Sequence, residues 1–256
     1  MSGPRFFCPP PLAVGAHVEM PAQAAQHAAR VLRLRRGDSL TVFDGTGGEY
    51  DARIVGVGRV QLVVELRTWL PRERESPLAV TLVQALQTGA KMDLTVQKAV
   101  ELGVTRIVPV VSRRSAVALA GERAARRVDH WQGIVLAACA QCGRNRVPEV
   151  ALPERLDGWL ARLVDDGALR LALSPGAPCS LASLPGPALA RAGGRLELLV
   201  GAEGGLAPEE SKLAEVAGFI SVRLGPRILR TETAGLAALA AIQFLWGDLK
   251  EETTDV

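Results

Sequence analysis

Leu196-Glu197-Leu198-Leu199-Val200-Gly201-Ala202-Glu203-Gly204-Gly205 decides how this chain is read. Its first half is a short, mostly apolar run, the pattern of a strand covered on both faces of a sheet. Its second half is a glycine loop placed directly at the strand's carboxyl end. Pro208 to Ala217 then reads as a helix, with a proline in the first turn and Gly218 as its stop. The same unit recurs on either side. Leu169 to Leu173 runs into Ser174-Pro175-Gly176-Ala177-Pro178, and Ile220 to Leu224 runs into Gly225 to Thr233 and a helix from Thr233 to Trp246. Upstream, Leu78 to Gln84 predicts a strand, Lys91 to Leu102 a helix stopped by Gly103, and Ile107 to Val111 a strand. Glu122 to Gln141 predicts a long helix ending at Gly143. Strands alternating with helices imply an α/β domain with a mostly parallel sheet. Ligands of such sheets bind beyond the carboxyl ends of the strands, where these glycines let a ligand approach the backbone. Three such loops could enclose one nucleoside-sized ligand, or they could be plain turns.

The first seventy residues have a different rhythm. Ser39 to Phe43, Glu49 to Val57 and Val60 to Leu66 are β-rich runs joined by Asp44-Gly45-Thr46-Gly47-Gly48 and by Gly58-Arg59. Pro21 to Leu32 predicts one helix before them. Short strands and tight turns predict a small β-barrel over 1–72, and Pro71 to Pro77 reads as a linker to a second domain over 77–256. A length of 256 residues favours two domains over one core.

Composition excludes several classes. With 48% apolar and 22% charged residues the chain is neither disordered nor fibrous. Its longest apolar stretch, Ala234 to Leu245, is shorter than the roughly 20 residues a bilayer span needs. Met1 to Leu12 lacks the apolar core of a signal peptide, so a cytoplasmic location is expected. The cysteines at 8, 139, 142 and 179 are too scattered for a disulfide scaffold. Cys139 and Cys142 form a C-x-x-C pair inside a helical pattern, with no second pair and no histidine at ligand spacing, so no metal site is expected.

Charge is uneven. Residues 77–150 hold ten cations against five acids, while residues 151–256 hold ten against fourteen. Between Arg106 and Arg146 eight arginines face only Glu122 and Asp129 in the sequence. This is the footprint expected of a nucleic-acid binder, though a solvated basic face would look the same. Ten aromatic residues in all argue against an extended base-stacking platform. The P-loop, the G-x-G-x-x-G fingerprint and the G-x-S-x-G elbow are all absent.

Four segments together carry a family resemblance: Gln97-Lys-Ala-Val-Glu-Leu-Gly-Val104, Gln141-Cys-Gly-Arg-Asn-Arg-Val-Pro148, Gly201 to Gly205, and Leu224-Gly-Pro-Arg-Ile-Leu-Arg-Thr-Glu-Thr-Ala234. With Pro4-Arg-Phe-Phe7 and His27 to Asp38, they resemble the RsmE family of 16S ribosomal RNA (uracil-N3) methyltransferases, within the SPOUT superfamily. The likeness spans nearly the whole chain. Two positions depart from the family pattern: Ala202 replaces a proline, and Ala140 replaces a glutamate.

The resemblance implies a SPOUT-type domain with a C-terminal trefoil knot behind a PUA-like barrel. It also implies S-adenosylmethionine as cofactor, 16S RNA or the small ribosomal subunit as partner, and a homodimer. Cofactor contacts are then expected at Leu173, Ser174, Gly201, Glu203, Gly204, Leu224, Gly225, Ile228, Leu229 and Thr233. RNA contacts are expected at Arg5, Arg35, Arg113, Arg114, Arg126 and Arg146. Arg144 and Arg230 would stabilise the charge that develops on uracil as its N3 proton leaves. Glu232 would mainly position Arg230, while Thr231 or Thr233 caps the helix. Two rivals remain open at this point: a non-catalytic RNA-binding protein, and an α/β enzyme using a nicotinamide cofactor.

Overall fold

The computed structural model describes residues 3–58, 61–117, 121–184 and 192–250. Contacts divide the chain into two units, residues 1–75 with 136–147, and residues 76–135 with 148–256. The return of 136–147 to the first unit is a feature that a linear division into 1–72 and 77–256 does not contain.

The first unit holds β1 (Arg5–Phe7), β2 (His17–Glu19), β3 (Ser39–Phe43), β4 (Glu49–Val57) and β5 (Leu62–Leu70). They form one sheet in the order β1-β3-β4-β5-β2, with β1 parallel to β3 and the other pairs antiparallel. Alternation explains β4: Tyr50, Ala52 and Ile54 turn inward while Asp51 and Arg53 face solvent. Two register shifts along the β4–β5 pair bend the ribbon. Gly48 is obligatory in the turn before β4. Its φ is +67°, and a Cβ there would stand 2.7 Å from the Trp69 ring nitrogen. The expected helix at 21–32 is shorter, α1 (Ala22–Gln26), and widens into a π-turn over His27–Val31. Val60, the expected start of β5, lies outside the described residues. β1 and β2, three residues each, are too short to show a period in sequence.

The second unit is built on β6 (Ala79–Ala85), β7 (Val104–Val111), β8 (Glu149–Val150), β9 (Glu154–Arg155), β10 (Leu169–Leu173), β11 (Cys179–Ser180), β12 (Arg195–Val200) and β13 (Ile220–Arg223). The sheet order is β11-β13-β10-β12-β6-β7-β8, with β9 added beside β7, and every pairing is parallel. Leu82, Val83, Leu171, Leu198 and Leu199 are fully buried, as strands covered on both faces require.

Four described α-helices belong wholly to this unit, α2 (Ala90–Glu101), α4 (Leu156–Ala161), α5 (Pro208–Val216) and α6 (Thr231–Trp246), while α3 (Gly121–Cys142) belongs to it only as far as Val135. Leu156, Trp159 and Leu160 of α4 and Ala214 of α5 pack on the face shown by Val83, Ala85 and Leu199. Successive strand residues point to opposite faces. Gln84, which bonds Thr231, therefore places the start of α6 on the other face. Trp131, Val135, Ala138 and Cys139 form the buried stripe of α3, which ends at Gly143 with φ +90°. None of the described helices is long and apolar enough to cross a membrane.

Candidate active site

β13, β10 and β12 are neighbours in the sheet, so the loops that leave their carboxyl ends converge. They enclose a cleft of about 620 Å³, counted with its open mouth. Leu173 and Ser174 line it after β10, and Gly201 and Glu203 after β12. Leu224, Gly225, Ile228 and Leu229 line it after β13, and Thr231 and Ala234 close it from α6. Two expected residues are elsewhere. Thr233 is exposed on α6 and lines no part of this wall, and Gly204 faces a neighbouring cavity beneath Arg114.

The walls suit a flat ligand held by main-chain groups. Gly225 has φ +65°, and nothing lies within 4 Å of where its Cβ would stand, so the backbone is bare toward open space. Gly201 is bound by the opposite constraint. A Cβ there would meet the Gly205 and Leu206 main chain at 2.9 Å, because the loop folds back on itself. The Gly205 N–H donates to the Ala202 carbonyl at 2.8 Å. Ala202 is buried against the α5 side of the core, so the turn closes without the family's proline.

Polar groups fix the loops to one another. Thr231 Oγ1 donates to the Gly201 carbonyl at 2.6 Å and accepts from Gln84 Nε2 at 3.1 Å. Thr231 thus ties two loops together and does not cap the helix. Arg230 occupies the N-cap position with no side-chain cap bond, and α6 starts two residues earlier than expected. Lys91, the second residue of α2, contacts the Glu203 carboxylate and lies 3.7 Å from Glu232 Oε1. The hydrogen bond from Lys91, helped by Lys91's charge and that of Arg230, holds the Glu203 carboxyl below its ordinary range. The bond to Glu203 in turn raises Lys91. Glu232 therefore pairs with Lys91 and not with Arg230, which corrects the expected partnership. Its Oε2 atom is buried with no hydrogen-bond partner. Arg230 is exposed beside this cluster, and Arg227 stands on the cleft wall.

The remaining candidates separate by burial. Arg144 is buried, and its Nε and Nη2 atoms engage Glu75 at 3.0 and 2.6 Å. The guanidinium is thus enclosed within its own unit and paired with Glu75. Glu75 supplies this arginine with its carboxylate in a chain whose position 140 is alanine. Arg5 is enclosed in a similar way: it is paired with Glu49, bonded to Asn145 Oδ1 at 2.6 Å and set over the Phe43 ring. Its side chain is 8% exposed, in contrast to the arginines that follow.

Arg35, Arg113, Arg114, Arg126 and Arg146 are exposed. Several basic side chains of the 106–146 segment meet acids far away in sequence: Arg106 meets Glu149, Arg113 meets Glu209 and Arg146 meets Glu73. The segment's charge excess is thus smaller in space than in sequence. Arg114 donates to the Gly204 carbonyl at 2.5 Å. Cys139 and Cys142 are free thiols, and no group of metal-ligating side chains occurs among the described residues.

Residues 74–243 match the model of an RNA methyltransferase domain, and residues 21–67 that of an RNA methyltransferase PUA domain. The fold is similar to a Neisseria gonorrhoeae ribosomal RNA small subunit methyltransferase E solved with S-adenosylmethionine. The TM-score is 0.89 and the identity 43%, over 96% of this chain and 99% of that one. It is also similar to a Legionella pneumophila protein solved with the same bound cofactor, at TM-score 0.90 and 36% identity over 97% and 100% of the two chains. Ribosomal RNA small subunit methyltransferase E of Buchnera aphidicola is 31% identical, over 96% of this chain and 98% of its own length. The two matched domains, their order and these full-length likenesses place the chain in the ribosomal RNA small subunit methyltransferase E family.

Proposed function

We propose that this chain transfers a methyl group from S-adenosylmethionine to uracil N3 of one uridine in 16S ribosomal RNA, working in the cytoplasm as a homodimer on RNA or the small ribosomal subunit. The three-loop cleft at the ends of β10, β12 and β13 carries this reading. Its bare backbone at Gly225 and its apolar residues Leu173, Leu224 and Leu229 suit an adenosine, with main-chain groups for its polar edge. S-adenosylmethionine, when bound, supplies a methyl group made electrophilic by its positive sulfur.

The chain's own residues do the rest by position and charge. Gly201, Glu203 and Gly205 on one side and Leu224, Gly225 and Leu229 on the other line the space in which the donor would be oriented. Uracil N3 becomes nucleophilic as its proton leaves, and negative charge then spreads to O2 and O4. Arg230, exposed at the cluster beside the cleft, is the cation placed to meet that charge, with Arg227 as its neighbour on the wall. Glu232 holds Lys91 and anchors the start of α6. The PUA-type sheet and the exposed arginines Arg35, Arg113, Arg114, Arg126 and Arg146 would supply contacts to the RNA backbone. The C-terminal segment from Leu224 through α6 would be the threaded part of the trefoil knot.

The donor site is tested by calorimetry with S-adenosylhomocysteine. The wild type should bind, and Gly225→Val should lose binding at least tenfold by filling the bare backbone position and straining a φ of +65°. Equal affinity in the two proteins would remove the cleft from the account.

A further inference from the structure

We propose that Lys91 is a positioning residue of the donor site, clamping the Gly201–Gly205 loop to the start of α6 through the carboxylates of Glu203 and Glu232. The inference rests on the reading of the cleft as the donor site. The turn between β6 and α2 contributes nothing to the cleft wall itself. Two ties from this turn and the first residues of α2 nevertheless reach the wall or its border: Lys91 to Glu203 and Glu232, and Gln87 to the start of α6.

Two carboxylates from distant loops converge on one ammonium. Glu203 is an exposed wall residue, and Glu232 is a half-buried residue next to Thr231, which closes the cleft. The same turn supplies a second brace. With the Gln87 amide oriented so that its oxygen faces donors, that oxygen accepts from the Glu232 backbone N–H at 3.2 Å. Its nitrogen donates to the Lys91 carbonyl at 3.2 Å and to Thr95 Oγ1 at 2.9 Å. Gln87 is buried, so this brace is fixed, and it delivers Lys91 to a set position beside α6.

The consequence follows from charge. Without the ammonium, Glu203 and Glu232 would repel, leaving Arg230 as the nearest cation of the cluster. Glu232 is anchored in a helix, whereas Glu203 is on an exposed glycine-flanked loop, so the loop is the part that moves. Loss of Lys91 therefore opens the wall of the cleft and leaves the core intact. The cost falls on donor affinity.

The test is calorimetry of S-adenosylhomocysteine binding to wild type, Lys91→Ala, Glu203→Ala, the double variant and Lys91→Arg, with the melting temperature of each unliganded protein. Lys91→Ala and Glu203→Ala should each weaken binding roughly tenfold, and the double variant should be no weaker than either alone, as coupled partners require. Lys91→Arg should restore affinity to within about threefold, and unliganded melting should stay near wild type. In turnover, Lys91→Ala should raise KM for the donor far more than it lowers kcat. Binding by Lys91→Ala within twofold of wild type would overturn the proposal, as would losses that multiply in the double variant. A wild type that failed to bind would overturn the donor-site reading beneath it. If Lys91→Ala did not fold, unchanged affinity in Glu203→Ala would be decisive against the clamp.

Discussion

Arg230 and Glu232 are two residues apart, yet they face different tasks. Arg230 is an exposed cation at the helix N-cap, free to meet charge on a substrate, whereas Glu232 is held by Lys91. Arg230→Ala should lower the single-turnover rate about a hundredfold with donor affinity largely intact. Glu232→Gln should keep turnover within about tenfold of wild type, since its role is to hold and not to take the proton. Rapid-quench kinetics on both variants checks this; complete loss in Glu232→Gln with unchanged donor and RNA affinities would make the carboxylate the base.

The cysteines give an independent residue-scale test. Burial pushes the Cys8 and Cys139 thiols up to about 12. The folded state therefore keeps both protonated while the unfolded chain ionises near its ordinary value. Their stabilising contribution is whole below that value and is lost as pH rises from about 9 toward 12. Denaturant titrations across this range should show alkaline destabilisation that is smaller in Cys139→Ala. At pH 8 a thiol reagent should leave Cys8 and Cys139 unmodified in the native protein, and fast reaction at four thiols would contradict their burial.

At the scale of elements, the strands and loops that make the cleft were legible because each unit repeats one pattern: an apolar run, a glycine-bearing loop, then a helix or a short strand. Leu169–Leu173 was read to the residue, and the helix stops at Gly103, Gly143 and Gly218 all have positive φ. Lys91 was not legible, because its partner Glu203 is 112 residues away and only the fold brings them together. The true start of α6 was hidden for a related reason. Thr231 looks like a cap in sequence, but the Gly201 carbonyl takes its hydroxyl. Burial of α6 is one-sided: Ala238, Leu239 and Ile242 are enclosed, while Leu236, Ala237, Ala240 and Ala241 are half-buried and Phe244 is 59% exposed. An apolar helix face left open in one chain suits a second copy. Light scattering at micromolar concentration should give a dimer mass for wild type and a monomer for Phe244→Glu. A monomeric wild type would end the dimer proposal.

For the molecule as a whole, two units of different construction share one chain. One is a bent antiparallel-rich sheet whose residues 21–67 match the PUA domain of RNA methyltransferases, and the other an all-parallel sheet that carries the cleft. The chain's excess of cations over acids is largest in residues 77–150, but distant glutamates neutralise several of those cations. On the proposed function, RNA recognition would rest on individual exposed arginines and not on the gross charge of the segment. The measurement that reaches the central claim most directly combines the purified protein with S-adenosylmethionine labelled in its methyl group and small ribosomal subunits from cells lacking this modification. After nuclease digestion, mass spectrometry should find the label on N3 of a single uridine of 16S RNA, and Gly225→Val should abolish it. Label on a ribose oxygen, on another base, or on no RNA at all despite measured donor binding would contradict the account.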